Sequence, residues 1–521
     1  EVKTGVRLNE AAVPWQHIRQ IGEDICAGEM ILPSFTDITP SAMGAMLAGG
    51  VLNLDVLKKP LVGIIPTGDE IVPPTNSPKE GDIIEFNSTI FSAMLEEWGA
   101  VSRTYPIAKD DLPGIISTLS QAVAECDVVL LCAGSSAGRE DFSARAIQEV
   151  GIVLHHGIAI KPGKPAILGH AGAKAILGVP GYPISGIIVL ENILRPVINR
   201  LLARDDEPRS VVKAELSRAV NSPLKYEEFI RLRVGSVNER LVATPLSSGG
   251  GIVTSFMKAD GLLQVPQSAE GYKAGETVPV SLLRPLAAIT QTLTVTGSHD
   301  PLIDELADMM RRRWYSASLG STHVGSMGGI MAIKRQEAHV AGIHLLDENS
   351  GEYNVAYLRK HFPEGGIRLV ECVMRTQGLM VQKNNPQGIR GIGDLGNEGL
   401  RYVNRQKGSG TRILLDFLLN QEGLGKRKVY GYEREEFTHT AVAALIAADS
   451  ADAGLGIYAA AKTYGLDFIP ICEEQYDFII PDYAWDTQYV QRLLELMAGR
   501  EFRIRLDALG GYQVDNPGRV R

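Results

Sequence analysis

The fold is decided by the stretch 126-CDVVLLCAGSSAGREDF-142, in which an apolar run of strand length precedes a loop of small residues. Val128–Cys132 is the apolar run, and a helical pattern follows the loop from Glu140. A loop of this kind presents unpaired backbone N–H groups and the positive end of a helix, so it suits a phosphate or another oxyanion. Taken alone, the loop is explained equally well as a tight chain reversal.

Two further rigid loops follow this stretch. The segment 155-HHGIAIKPGKPAILG-169 places Lys161 and Lys164 in a turn stiffened by proline, and 176-ILGVPGYPISG-186 opens a second helix. In open α/β sheets, ligands bind to loops at the carboxyl ends of adjacent strands. The three loops together therefore predict an anion site at one edge of a parallel sheet.

These loops, together with 66-PTGDEIV-72 and Asn87-Ser88, resemble the motifs of the molybdopterin molybdotransferases of the MoeA/gephyrin type. The resemblance extends to about residue 285. It implies a segment upstream of residue 1 that this sequence does not include. The family's Gly-Gly, Asp-Ser-Asn and Pro-Gly-Asn-Pro are replaced here by Ala133-Gly134, Glu85-Phe86-Asn87 and Pro180-Gly181-Tyr182-Pro183.

The resemblance implies a reaction as well as a fold. Adenylylated molybdopterin is bound as substrate, molybdate or tungstate is delivered to its dithiolene, and AMP is released with the help of Mg²⁺. Such a site must hold a pyrophosphate and a second oxyanion, so it needs cations, N–H donors and a divalent metal. The resemblance also implies a homodimer.

The family's functional residues fall on definite positions of this chain. The catalytic residues implied are Asp141, Asp69, Lys161 and Lys164, with Asp141 and Asp69 as the metal ligands. For Asp141 the alternative is a carboxylate that interacts with the helix dipole, and for Asp69 a polar turn. The implied binding residues for the molybdopterin substrate are Thr67, Gly68, Asn87, Ser88, Gly134, Ser135, Ser136, Gly138, Pro165, Pro180, Gly181 and Ser185. Arg231 and Ser255 lie where the family contacts molybdate, although an ordinary strand charge explains Arg231 equally well.

Changes of pattern along the chain predict four domains. Residues 1–58 are a remnant of an N-terminal linker domain, and residues 59–205 alternate strands with helices as a molybdopterin-binding α/β domain. Residues 206–286 carry short strands typical of a small β-barrel. Residues 287–521 start again with a strand and form a separate module.

The last module resembles the two-lobed, type 2 periplasmic-binding-protein fold that also serves as the LysR effector domain. The segments 351-GEYN-354, 404-NRQKGSGTR-412 and 437-FTHTAVAA-444 carry the resemblance. Four hydroxyl residues lie at or just before predicted helix starts, where converging N–H groups bind tetrahedral oxyanions. Simple N-capping explains each of them singly. They are Ser298, Ser326, Ser409 and Thr411.

Composition limits the classes of function. The 521 residues are 45% hydrophobic and 22% charged, with a formal net charge of −9. An acidic balance argues against nucleic acid or an anionic membrane as partner. No uncharged apolar run reaches the roughly 18 residues of a membrane span. The five cysteines show no metal-ligand spacing, which fits a reducing, cytoplasmic compartment.

The sequence therefore predicts an α/β multidomain protein of molybdenum-cofactor biosynthesis. It joins a doubly wound transferase domain and a small β-barrel to a domain that binds molybdate, tungstate or a related small ligand. One alternative is a sensor of the oxyanion or of a pterin precursor without catalytic activity. The other is a scaffold protein.

Overall fold

The computed structural model describes residues 5, 9–133, 142–246, 252–347 and 350–521. The chain forms two compact units. The first comprises residues 1–157, 165–181 and 186–207, and the second comprises residues 158–164, 182–185 and 208–521. Within the described ranges, no helix is long and apolar enough to cross a membrane.

Helices and strands alternate through the first two hundred residues, and short strands dominate the middle of the chain. The helices are α1 Pro40–Ala48, α2 Asn87–Glu97, α3 Leu112–Glu125, α4 Phe142–Val150, α5 Pro183–Val189, α6 Arg195–Leu201, α7 Val253–Met257, α8 Leu286–Thr290, α9 Pro301–Arg313, α10 Gly325–Lys334, α11 Val355–His361, α12 Gly410–Gln421, α13 His439–Ala447, α14 Tyr458–Thr463, α15 Asp482–Trp485, α16 Gln488–Ala498 and α17 Arg500–Leu509. The strands are β1 Leu61–Pro66, β2 Ile71–Val72, β3 Ile83–Ile84, β4 Val101–Thr104, β5 Val128–Ala133, β6 Ile152–His156, β7 Ile160–Lys161, β8 Ile167–Ala171, β9 Lys174–Pro180, β10 Val211–Leu216, β11 Val220–Asn221, β12 Glu227–Val237, β13 Arg240–Pro245, β14 Gly261–Val265, β15 Gly271–Tyr272, β16 Thr277–Leu282, β17 Thr292–Gly297, β18 Ser318–His323, β19 Ala341–Ile343, β20 Ile367–Val381, β21 Asn404–Arg405, β22 Glu435–Glu436, β23 Ala453–Ile457, β24 Asp467–Pro481 and β25 Tyr512–Gln513.

The first unit is built on a six-stranded sheet in the order β4-β1-β5-β9-β8-β6. The first four strands are parallel, β8 pairs antiparallel with β9, and β6 pairs antiparallel with β8. The central strands are continuous apolar runs because both faces of a parallel sheet are covered. Helix α3 begins where the Asp111 side chain accepts from the Gly114 N–H at 2.9 Å. The expected strand at Val128–Cys132 is confirmed.

The loop with the two lysines does not follow a strand of this sheet. Its short strand β7 pairs with β12 in a different sheet, whose order is β13-β10-β16-β14-β12-β7. The expectation that all three rigid loops end strands of one parallel sheet is therefore wrong for Lys161 and Lys164. The sequence pattern could not reveal this, because a two-residue strand has no periodicity.

The middle of the chain forms the expected β-barrel. Strand β12 pairs with β14 on one side and with β13 on the other, which closes the sheet on itself. Its interior holds buried apolar side chains such as Leu232, Leu263 and Val280. Closure removes the free edges that would otherwise pair with other chains.

The C-terminal region has two lobes around two long strands. Strands β20 and β24 pair antiparallel along nearly their whole length. One apolar core packs α9, α16 and α17 against β17, and another packs α12 against β23. This is the expected two-lobed, periplasmic-binding-protein-like arrangement. The fold of the chain is therefore α/β, and in the sequence a small barrel follows the first α/β part and precedes the second.

Helices α5 and α6 are separated by a π-helical turn, Leu190–Leu194. Pro196 follows directly and has no N–H to donate to the preceding turn, so the regular hydrogen-bond ladder breaks there.

Candidate functional site

Thr67 and Gly68 fix the end of strand β1 in the first unit. The Thr67 hydroxyl donates to the Cys132 carbonyl at 3.1 Å, and its backbone N–H donates to the same oxygen at 2.8 Å. Gly68 has φ +146°, and a Cβ there would approach the Ile71 side chain to 2.6 Å. Both residues are thus needed by the local structure, whether or not a substrate contacts them.

Asp69 lies beside other acidic residues at the same strand end. The Asp69 carboxylate accepts from the Asp110 N–H at 3.4 Å, and its carbonyl accepts from Lys109 Nζ at 2.9 Å. Burial and the charges of Asp69 and Glu70 raise the pKa of Asp110. Among the described residues, no group of three or more His, Cys, Asp or Glu residues could hold a metal ion. Because Mg²⁺ is usually held by one or two carboxylates together with waters and phosphate oxygens, Asp69 stays a predicted ligand.

Asn87 connects two loops that the sequence singled out. Its amide nitrogen donates to the Gly181 carbonyl at 2.8 Å, just after strand β9 ends at Pro180. This bond fixes the orientation of the amide, so Asn87 Oδ1 points the other way, and that oxygen is buried with no hydrogen-bond partner among the described residues. Ser88 differs, because its hydroxyl and its N–H both donate to Glu85. Asn87 is therefore the better candidate to accept a bond from a substrate.

The two lysines lie in the second unit and have different surroundings. Lys161 Nζ is 2.9 Å from the carboxylate of Glu228, which is almost fully buried. Lys164 is exposed, with its Nζ 5.7 Å from the centre of the Tyr226 ring. Lys161 is therefore partly neutralised within the protein, whereas Lys164 presents its charge to solvent.

The remaining predicted transferase residues are held within their own elements. Arg231 is buried in β12, and burial lowers the pKa of its guanidinium. The Ser255 hydroxyl donates to the Ile252 carbonyl at 2.7 Å at the start of α7. Ser185 is buried in α5 and Pro165 is half-buried. The other predicted residues lie outside the described part of the chain, namely Gly134, Ser135, Ser136, Gly138 and Asp141.

In the C-terminal region, Arg375 forms a fully buried ion-pair network on β20. Its guanidinium contacts Asp300 and Glu474, and all three side chains are inaccessible to solvent. Tyr512 donates to the second Asp300 oxygen at 2.8 Å. Two carboxylates thus more than offset the charge of Arg375, which leaves no positive charge there for an anionic ligand.

Next to this network, a hydrogen-bonded chain determines what Ser298 can do. His344 Nδ1 is 2.9 Å from Glu474, and His344 Nε2 is 2.7 Å from the Ser298 hydroxyl. Burial alone would raise the pKa of Glu474, but Arg375 and His344 hold that pKa at about 2. Burial lowers the pKa of His344. The ionised carboxylate therefore accepts a hydrogen bond from the Nδ1–H group, and Nε2 accepts a hydrogen bond from the Ser298 hydroxyl. This arrangement does not favour Ser298 as a donor to an anion.

The other three predicted hydroxyls keep a proton to donate. Ser326 accepts from the His344 N–H at 3.2 Å, and Ser409 accepts from the Arg412 N–H at 3.2 Å as the N-cap of α12. Thr411 accepts from the Gln377 amide at 3.3 Å. N-capping thus accounts for Ser409, as the alternative interpretation has it, while all three hydroxyl protons remain available to a ligand.

Sequence reasoning missed the most unusual charge in this region, that of Arg405. It is 1% exposed, and its Nη2 donates to the Phe437 carbonyl at 3.0 Å. Its Nε and Nη1 have no hydrogen-bond partner, and no carboxylate pairs with it among the described residues. Burial, with the charge of Arg375, lowers the pKa of Arg405 to about 9. The signal was present in 404-NRQKGSGTR-412, where Arg405 directly precedes the small-residue turn.

Further polar atoms in this region lack partners, and the charge of Arg405 acts on two of the residues that carry them, His299 and His439. Among the described residues, no group forms a hydrogen bond with five buried sites, which are both ring nitrogens of His439, His299 Nδ1, Gln377 Oε1 and Gln406 Nε2. Burial, followed by the charges of Arg405 and Arg375, lowers the pKa of His439 well below its usual value. Such groups are rare in protein interiors unless something pairs with them. These residues therefore form the second candidate site.

Three segments of the chain match known protein families. Residues 63–200 match the family described as probable molybdopterin binding domain, and residues 213–283 match the MoeA C-terminal region, domain IV. Residues 307–498 match the PBP superfamily domain.

Individual relatives share part of the chain. A Methanocaldococcus jannaschii protein named for molybdopterin biosynthesis is 29% identical over 292 residues, which are 54% of this chain and 70% of that protein. Molybdopterin molybdenumtransferase of Bacillus subtilis is 27% identical over 270 residues, 51% of this chain and 63% of that enzyme. The solved structure of the molybdopterin biosynthesis MoeA protein from Pyrococcus horikoshii is 28% identical, covering 50% of this chain and 63% of that one with a TM-score of 0.41. The chain thus spans about two thirds of the length of these proteins.

Proposed function

Because this chain joins MoeA-like molybdopterin molybdenumtransferase domains to a PBP-like C-terminal domain, we propose that it inserts molybdate or tungstate into adenylylated molybdopterin. Water then cleaves the phosphoanhydride, and AMP leaves. The C-terminal domain binds the oxyanion or a related small anion. The homodimer implied by the resemblance and the cytoplasmic location inferred from the cysteines stay predictions.

One contact in the first unit supports the transferase role most directly. Asn87 holds the loop after β9 through the Gly181 carbonyl, and no residue in the described part of the chain donates to its buried Oδ1. A pterin ring and a ribose both carry N–H or O–H donors that can reach such an oxygen. Asn87 therefore serves to position the substrate, and it lies in a motif that the sequence resemblance assigns to substrate binding.

The charged groups have separate roles in this proposal. Lys164, which is exposed, offsets the charge of the pyrophosphate, and Lys161 shares its charge with Glu228. Asp141 and Asp69 stay the proposed magnesium ligands, since carboxylate oxygens suit that ion. Mg²⁺, when bound, would offset further charge on the phosphates.

Asn87→Ala tests the transferase role. Losing one hydrogen bond to the substrate costs about 1–3 kcal/mol, so KM for adenylylated molybdopterin should rise roughly five- to 150-fold. AMP release in the presence of molybdate measures the reaction. Asn192→Ala is the matched control, because that amide also donates to a backbone carbonyl, at 2.7 Å from Ile188 O. No AMP release by the unaltered full chain would reject the proposed reaction.

The binding role of the C-terminal domain depends on Arg405. A buried guanidinium without a carboxylate partner is costly unless an anion pairs with it. That single charge, with hydroxyl protons of Ser409 and Thr411 close by in sequence, supports binding of a small anion.

A further inference from the structure

The C-terminal region holds a set of buried polar side chains, which we call the Arg405 cluster. Its members are Arg405, His439, His299, Gln377 and Gln406, and each is at most 6% exposed. The chain is tightly packed beside them, since a Cβ added to Gly410 would stand 2.1 Å from the His344 carbonyl. A ligand bound here is therefore enclosed by protein groups and must satisfy them.

The charges of the cluster indicate the charge of that ligand. Arg375 is paired with Asp300 and Glu474, so these three groups together carry one negative charge. No carboxylate of the described residues pairs with Arg405. Burial keeps His299 and His439 neutral by lowering the pKa of each imidazole. The enclosed groups therefore favour a ligand whose negative charge meets Arg405 and stays away from Glu474. A singly charged ligand fits this better than a fully ionised dianion.

The unpartnered atoms include acceptors as well as donors. Gln377 Nε2 donates to the ionised Glu474 at 2.6 Å, which fixes the amide orientation and leaves Gln377 Oε1 as an acceptor. Neutral His439 has one ring nitrogen that donates and one that accepts, and neither has a partner. An anion that can only accept hydrogen bonds would place its oxygens against these lone pairs.

We propose that the Arg405 cluster binds an anion that also carries an O–H or N–H donor. This rests on the proposed anion-binding role of the C-terminal domain and narrows its ligand. An ionised oxygen accepts from Arg405 Nε and Nη1, and the donor binds Gln377 Oε1 or the accepting nitrogen of His439. Hydrogen oxyanions such as phosphate and hydroxycarboxylates such as glycolate share this chemistry. Molybdate, tungstate and sulfate have no proton to donate near neutral pH.

Titration calorimetry on the full chain at pH 7 and constant ionic strength tests this inference. The titrants are phosphate, glycolate, sulfate, molybdate and tungstate, and only heat that Arg405→Gln removes is assigned to the cluster. We expect phosphate or glycolate to bind at least about tenfold more tightly than sulfate, since one unmade hydrogen bond is worth that much. Phosphate above glycolate would identify an oxyanion, and the reverse order a carboxylate.

Two variants assign the preference to named groups. Gln377→Met should reduce the preference over sulfate to within about threefold, because the fixed acceptor is gone. Arg412→Gln is the matched control for Arg405→Gln, since Arg412 is also buried but pairs with Glu435 at 3.2 Å. It should keep the preference unchanged.

The results separate this inference from the proposed function. Tightest binding of sulfate, molybdate or tungstate would overturn the donor requirement and leave the anion-binding role intact. No Arg405-dependent heat from any titrant, with the chain folded by circular dichroism, would overturn both. Phosphate bound as tightly by Arg405→Gln as by the unaltered chain would also reject the cluster as the site.

Discussion

The two candidate sites place their cations in opposite surroundings. In the transferase part, Lys164 is exposed, and Lys161 is paired with Glu228 with half its side chain exposed. In the C-terminal part, Arg405 is 1% exposed and has no ion-pair partner among the described residues. An exposed cation is stabilised by water whether or not a ligand is present, whereas a buried one depends on the groups placed around it.

This difference has consequences for specificity. Charges near a surface interact through a high effective dielectric and are screened by salt. Buried groups interact more strongly, and each of them must be satisfied. An open lysine can therefore hold many phosphates, while the Arg405 cluster discriminates between anions by their charge and their protons.

Arg375→Met should produce the largest effect, because it leaves Asp300 and Glu474 buried without their cation. We expect a loss of about 3–5 kcal/mol in the free energy of unfolding, measured by urea denaturation. The matched control is Arg401→Met. Arg401 also pairs with two carboxylates, but its own side chain is 39% exposed and that of Asp449 is 76% exposed, so that only Asp452 is buried.

That control should lose much less stability than Arg375→Met. Equal losses for the two variants would show that burial does not set the strength of these networks. The comparison between the two halves of the chain would then lose its physical basis.

The pH dependence of stability should come next in size. The folded-state pKa of Glu474 is about 2, below its unfolded value, because Arg375 and His344 outweigh the effect of burial. Glu474 therefore contributes at most about 3 kcal/mol to the free energy of unfolding. This contribution is present above about pH 4.5 and is lost as the pH falls towards 2. Urea denaturation from about pH 6 to pH 3 should show a steeper decline in the unaltered chain than in Glu474→Gln. Parallel curves would contradict the assigned pKa.

The elements of the fold could be predicted from sequence because their signals are local. The strand that the apolar run Val128–Cys132 predicts is found as β5, Val128–Ala133. Asn87 was found through its motif. The partners that define the second site were not predictable, because they come from distant segments. Glu474 lies 97 residues from Gln377.

The same reason explains two other outcomes. Ser298 was chosen because it precedes a helix, but His344, which accepts the hydrogen bond of its hydroxyl, is 46 residues away. Lys161 and Lys164 were assigned to the parallel sheet because the preceding strand is apolar, whereas β7 pairs with a barrel strand 66 or more residues later. Local patterns indicate which residues are polar and where loops lie, and they carry no information on which polar groups meet.

The dependence of ligand affinity on salt concentration should also distinguish the two sites, and it is the smallest of the predicted effects. Lys164→Ala should weaken AMP binding by about 1 kcal/mol, or roughly fivefold, at low ionic strength. Screening shortens from about 30 Å at 0.01 M salt to about 3 Å at 1 M, so this difference should vanish at high salt. Lys225→Ala is the matched control, because Lys225 is an exposed lysine next to Tyr226 in the sequence. Arg405-dependent binding should change little over the same range, since the protein excludes counterions from that charge. Calorimetry at both salt concentrations measures the two dependences, and equal salt slopes would mean that the Arg405 cluster is as open to solvent as the lysine loop.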